Sequence, residues 1–183
     1  GPELKKIDLN ILNDVKKEDF LEKLNPVYKT VKETKKKLTI NNKDIIGFVG
    51  APWTLLLYML NRKSPREGNF NVFPKDEYIN NILIKLDKFL KIHIEAQIKS
   101  GASIIQIFDS WAGLLPEKDL NYFVYKPIKS LVDFIRQKET ISICFPRNIN
   151  SYKKFVDNVN PDIISIDYNV DASIIRDTID IPV

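Results

Sequence analysis

Cysteine is almost missing from this chain: Cys144 is the one thiol in 183 residues. A disulfide scaffold is thereby excluded, and so is a zinc site built from several cysteines. The expectation is a reducing compartment. Long apolar runs are missing too. None approaches the roughly 18 residues a membrane-spanning helix needs, and no basic, apolar and small-residue signal pattern opens the sequence. The chain is therefore expected to be cytoplasmic, with no membrane partner. Glycine-rich phosphate loops are a third absence. Neither G-x-G-x-x-G nor G-x-x-x-x-G-K occurs, which argues against the nucleotide-binding form of an open α/β sheet. Charge of one sign is scarce as well: 28 basic residues face 24 acidic ones for a net +4, and both signs are interspersed. The run Lys35-Lys36-Lys37 falls on a helical pattern whose polar face is solvated in any case, so no nucleic-acid partner is expected.

What is present is material for a core. The chain is 44% apolar and carries 2 Trp, 7 Tyr and 10 Phe, enough buried surface to offset chain entropy. Short runs rich in isoleucine and valine at Asp44–Val49, Ser103–Phe108, Ile141–Phe145, Asp162–Ile166 and Ile181–Val183 read as buried strands. Helical spacing separates them. Val27, Val31 and Leu38 mark one helix, Ile79 through Ile98 a long second, Leu131, Phe134 and Ile135 a third. Tyr152, Phe155, Val156 and Val159 mark a fourth, and Ile174, Ile175 and Ile179 a short fifth. Gly101 follows Ser100 where the long helix should stop. Pro116 stands before Glu117 at a helix start, and Pro127 would break a helix interior, so residues 117–138 are expected to form two short helices. Repeated βα units with crossover helices imply parallel strands, in an open doubly wound sheet or a closed barrel.

The unusual residues cluster just after the strands, where a barrel places its functional groups. Gly47-Phe48-Val49-Gly50-Ala51-Pro52-Trp53-Thr54 leads into an apolar helix carrying Tyr58. Asp109-Ser110-Trp111-Ala112-Gly113, Pro146-Arg147-Asn148 and Asp167-Tyr168 follow the next three strands. Aromatics, a carboxylate, a hydroxyl and a guanidinium around one mouth suit a flat, partly apolar, anionic ligand. Each also has a plainer role. Tyr58 reads equally as a core tyrosine, and Ser110 as a turn or cap residue. Asp109 is evenly balanced between ligand contact and loop fixing. A structural role is favoured for Asp167, and Arg147, although at the right end to attract a carboxylate, is weighed against that role by the departure in its surrounding motif. His93, inside the long helix, and Cys144, inside a strand, are read as structural.

Ile45-Ile46-Gly47-Phe48-Val49-Gly50-Ala51-Pro52-Trp53-Thr54 with Tyr58-Met59, then Gln106-Ile107-Phe108-Asp109-Ser110-Trp111-Ala112-Gly113, then Phe145-Pro146 and Ile166-Asp167-Tyr168, resembles the uroporphyrinogen decarboxylase family in order and spacing. The two long motifs are highly specific together, and the likeness runs from about residue 25 to the end. It implies a (β/α)8 TIM barrel, here a partial barrel of about five βα units. The implied reaction removes carbon dioxide from the four acetate side chains of uroporphyrinogen III, giving coproporphyrinogen III in haem synthesis, with no metal or organic cofactor. It also implies a homodimer when full length. Tyr58 and Ser110 match family residues that complete the substrate pocket, and Phe48 matches an aromatic packed against the macrocycle.

The family's catalytic aspartate, arginines and late histidine have no counterpart in this chain, so no catalytic residue is assigned and the piece alone is expected to be inactive. Two segments depart from the family pattern: Asn61-Arg62-Lys63 and Arg147-Asn148-Ile149 stand where glycine-rich turns are expected. Two other functions compete. One is a corrinoid-type methyltransferase of the same barrel superfamily, for whose zinc only His93 and Cys144 are on offer. The other is a non-catalytic barrel that binds tetrapyrrole. The chain opens Gly1-Pro2 and stops at Val183 in an apolar segment, which reads as one domain, residues 1–183, internal to a larger barrel. Its two open sheet edges would leave it prone to aggregation by itself.

Overall fold

Four of the five expected strands form one parallel sheet. The computed structural model describes residues 11–38, 43–62, 64–65 and 72–183. The strands are β1 (Ile46–Gly50), β2 (Ile104–Asp109), β3 (Ile141–Pro146) and β4 (Ile163–Ile164), in the order β1-β2-β3-β4. Every neighbour is parallel, with Gly47 opposite Ile105, Ile107 opposite Cys144, and Cys144 opposite Ile164. A doubly wound sheet reverses its strand order at a switch point. Here each strand is added beside the last without reversal, the progression of a barrel wall that stays open. The fifth segment is not a strand, but it occupies a strand's place: the Ile164 N–H donates to Pro182 O at 3.0 Å along the outer edge of β4.

Eight helices are described: α1 (Ile11–Asp14), α2 (Lys17–Leu38), α3 (Pro52–Asn61), α4 (Glu77–Lys99), α5 (Glu117–Leu120), α6 (Lys126–Gln137), α7 (Tyr152–Val159) and α8 (Ala172–Arg176). The long α4 shows why these sequences stop and start where they do. Asp76 caps it by accepting from Ile79 N at 2.9 Å, and Ile79, Ile82, Leu86, Phe89, Leu90 and Ile94 make its buried stripe. It ends at Ser100, and Gly101 turns the chain with a φ of 115°. A Cβ there would also sit 2.9 Å from the Lys35 Cγ, so α2 and α4 meet over a position that only glycine fits.

Residues 117–138 form the two helices expected, α5 and α6, the second opening at Lys126 with Pro127 in its first turn, but no break separates them. The helical path runs on through a widened π-turn at Asn121–Tyr125 that joins α5 to α6, with Lys126 N donating to Asn121 O. A proline lacks its N–H and crowds the carbonyl four residues back, and the wider turn just before Pro127 relieves both. α2 differs in a second way. It starts at Lys17 and carries Pro26 inside it, and Val27 faces outward while Tyr28 is the buried residue. The Tyr28 hydroxyl meets His93 Nδ1 at 3.0 Å, which ties α2 to α4 and gives the lone histidine a structural role. Burial holds the His93 pKa below its ordinary value.

Strand alternation separates two faces. Gly47, Val49, Ile105, Ile107, Asp109, Ser142, Cys144 and Pro146 are buried against the helices. Ile46, Phe48, Ile104, Gln106, Phe108, Ile141 and Phe145 alternate with them on the other face, which the described helices leave mostly uncovered. The core sits on the helix side, around Trp53, which is fully buried against Phe73 and Phe123 with ring centres 5.8 and 5.1 Å away. Side chains of this size contribute roughly 2–3 kcal/mol each on burial, so this layer holds the sheet in shape while the opposite face stays open.

Candidate functional site

The two sequence motifs after β1 and β2 are bonded directly to each other. Ala51 N donates to Phe108 O at 2.8 Å, Trp53 Nε1 to Trp111 O at 2.9 Å, and Thr54 Oγ1 to Asp109 Oδ1 at 2.7 Å. Pro52 at the first turn of α3 costs no hydrogen bond and presents Trp53 and Thr54 to β2 at once. The chain of bonds continues to β3. Arg147 N donates to Asp109 O and Gly113 N to Arg147 O, each at 3.0 Å. The Gly113 backbone lies so near this turn that a Cβ would fall 2.3 Å from Asn148 O. The β4 end closes the series: Asp167 Oδ2 accepts from Asn148 N at 2.6 Å and from Tyr152 Oη at 2.7 Å. Four strand-end loops therefore form one cross-linked rim.

A cavity of about 430 Å³ opens in that rim, with Ser110, Trp111, Leu114, Arg147 and Asn148 in its wall. Of the three expected ligand-contacting residues, Ser110 lies in it directly. Tyr58 stands behind it, its ring edge-on to Trp111 at 6.4 Å and its hydroxyl 3.3 Å from the Ser64 Oγ. Phe48 is elsewhere on the same wall. It is 65% exposed on the open face of the sheet and borders a separate apolar pocket of about 310 Å³ with Phe20, Leu86, Phe89 and His93. What joins it to the rim is an aromatic ladder across three strands: Phe48 to Phe108 at 6.0 Å and Phe108 to Phe145 at 6.1 Å, both edge-on. Phe108 and Phe145 were not distinguished by sequence from their buried neighbours, because apolar residues fall on both faces of their strands.

The carboxylates do not ring the mouth as expected. Asp109 is fully buried and faces the helices, where Thr54 holds it, so alternation turns it away from the open face. Burial pushes its carboxyl up to about 7, against the lowering effect of the Thr54 hydroxyl and the Trp111 amide, and Oδ2 has no hydrogen-bond partner among the described residues. Because its folded pKa lies above its ordinary 3.8, this group's contribution to stability is largest at low pH and is lost as pH rises towards 7. Asp167 is buried too, spent on Asn148 N and the Tyr152 hydroxyl. Tyr168 beside it is fully in solvent. Cys144 is sealed on the helix side and its thiol is pushed far up by burial.

Both departures from glycine-rich turns fall on left-handed backbone. Arg62, the C-cap of α3, has a φ of 61°, and Asn148 a φ of 56°. Asparagine tolerates this region and arginine does so less readily. The turns are kept in shape although the glycines are replaced. The last residue of that first departure, Lys63, lies outside the described residues.

The family model described as uroporphyrinogen decarboxylase (URO-D) matches residues 1–181. The chain belongs to the uroporphyrinogen decarboxylase family. It is 41% identical over 166 residues to a uroporphyrinogen decarboxylase of Rickettsia bellii, covering 82% of this chain and 48% of that relative. It is 37% identical over 176 residues to one of Orientia tsutsugamushi, covering 93% and 51%. With one of Campylobacter jejuni it shares 35% over 175 residues, covering 93% and 50%. The chain thus spans about half the length of the curated relatives it matches. The open four-stranded wall agrees with part of the barrel of the uroporphyrinogen decarboxylase family, and that membership does not favour the corrinoid methyltransferase alternative.

Proposed function

We propose that the protein carrying this chain is a uroporphyrinogen decarboxylase, converting uroporphyrinogen III to coproporphyrinogen III by loss of carbon dioxide from its four acetate side chains, in haem synthesis. The observation that carries the reading is the placement of Ser110 in a polar cavity at the carboxyl end of the sheet. The two family motifs are bonded to each other there through Trp53, Thr54 and Asp109. In this reading residues 1–183 form one domain that builds one wall of a (β/α)8 barrel, and the wall binds substrate. Ser110 and Tyr58 supply hydroxyls at the rim, and Phe48, with Phe108 and Phe145, gives the pyrrole rings of the macrocycle an aromatic surface. The chemistry asks for no cofactor. Protonation of a pyrrole carbon makes the ring an electron sink, the carboxylate leaves as carbon dioxide, and the protein's task is to place charges and hydrogen bonds. The acid–base and charge-gathering groups of that reaction have no match in this chain, so the wall alone is inactive. A cytoplasmic homodimer acting on this substrate, with neither nucleic acid nor membrane as partner, completes the proposal.

The test is turnover. The protein carrying this chain, incubated anaerobically with uroporphyrinogen III, is expected to yield coproporphyrinogen, measured as fluorescent coproporphyrin after oxidation. A folded, soluble preparation that forms none above the no-enzyme control overturns the reading.

A further inference from the structure

The rim cavity contains a cation to which the proposed site has so far given no task. Arg147 lies two residues beyond Phe145, continuing the open-face alternation of β3, and lines the cavity beside Ser110. Its main chain is fixed on both sides, donating to Asp109 O and accepting from Gly113 N. Its side chain is free by comparison. It is 47% exposed, and among the described residues its nearest anionic atom is Asp167 Oδ1, 4.0 Å from Nε. The other oxygen of Asp167 is committed to Asn148 N and the Tyr152 hydroxyl. Asp167 therefore steers the Nε side of the guanidinium, and no carboxylate among the described residues pairs with the Nη fork. The described cavity wall contains no carboxylate of its own to compete. A fixed main chain, an open planar fork and an adjacent hydroxyl are the parts of a bidentate carboxylate site, which a lysine's single ammonium reproduces poorly.

We propose that Arg147 anchors one side-chain carboxylate of the tetrapyrrole through its guanidinium fork, with the Ser110 hydroxyl donating to the same group. The proposal rests on the porphyrinogen reading. Its test separates the two. The protein carrying this chain, as wild type, Arg147→Gln and Arg147→Lys, is titrated with uroporphyrin, the oxidised octacarboxylate, by quenching of porphyrin fluorescence, and circular dichroism checks the fold. Wild type is expected to bind. Arg147→Gln, whose side chain plays no part in the backbone bonds, is expected to weaken binding about tenfold or more. Arg147→Lys, which keeps the charge and loses the fork, is expected to fall between. In turnover the loss is expected in KM, with kcat changed much less. Arg147→Gln binding within about twofold of wild type overturns the Arg147 assignment and leaves the porphyrinogen reading intact. A folded wild type that binds no uroporphyrin overturns both.

Discussion

At the carboxyl ends of β2 and β3, main chain is held by main chain: Arg147 N to Asp109 O, Gly113 N to Arg147 O, Ala51 N to Phe108 O. At the outer edge of β1 it is held by one side chain. The Ser103 N–H donates to Ile45 O and the Ala51 N–H to Phe108 O, so residues 45, 47, 49 and 51 face β2 and Phe48 faces outward. Gln97, buried on α4, meets it there: Phe48 N donates to Gln97 Oε1, and Gln97 Nε2 to Phe48 O, both at 3.1 Å. Its amide bonds the N–H and C=O of Phe48 as a neighbouring strand would. Rigidity in this wall therefore has two sources. The rim is over-determined, several bonds fixing each loop, whereas the edge beside Phe48 depends on a single rotamer. It also qualifies the expectation of two bare edges, since Gln97 covers β1 at Phe48 and Pro182 covers β4 at Ile164.

The largest effect expected from breaking this comparison is at the rim. Trp53 is fully buried and also donates to Trp111 O, so Trp53→Ala removes core volume and a rim bond together. It should cost about 3–5 kcal/mol, read from urea unfolding, and should disturb the Ser110–Trp111 turn with it. A loss under about 1 kcal/mol would show that the rim does not depend on the α3 side of the core. The edge should respond more weakly. Gln97→Leu keeps the apolar bulk on α4 and strips both bonds from Phe48, for about 1–2 kcal/mol. Its distinguishing sign is association: with the β1 edge uncovered, sedimentation should show larger species than wild type forms. A destabilised variant that associates no further than wild type would reduce Gln97 to packing.

These contrasts mark what the sequence could say. Strand positions were legible because short isoleucine-rich runs stand between turn signals, and with them the position of Ser110 just beyond the end of β2. The facing of the strands was not. In Ile104-Ile105-Gln106-Ile107-Phe108-Asp109 the apolar residues fall on both faces, so period-two alternation is hidden, and nothing in the string says that Phe108 looks out while Asp109 looks to the helices. Asp109 was therefore open to a ligand role that its burial against Thr54 removes. Gln97 was invisible for another reason: one polar residue at the end of an amphipathic helix looks like surface until the strand it serves is placed. The π-turn before Pro127 belongs to the same class, a local break that tertiary packing on α5 and α6 converts into a continuous path.

The smallest effect tests the two left-handed turns against each other. Arg62 closes α3 by donating its N–H to Tyr58 O at 2.8 Å, in a conformation with φ of 61° that costs a residue with a Cβ roughly 1 kcal/mol. Glycine removes that strain but adds freedom to the unfolded chain, so the two terms largely oppose. Asn148 has nearly the same φ, 56°, yet its short polar side chain adopts this region with little strain. Arg62→Gly is therefore expected to stabilise by about 0.5 kcal/mol, and Asn148→Gly to leave stability unchanged or slightly lower. Paired thermal melts measure the difference. If Asn148→Gly stabilises and Arg62→Gly does not, the strain lies in the rim rather than at the end of α3. The cross-linked corner would then hold its shape against its own backbone preference.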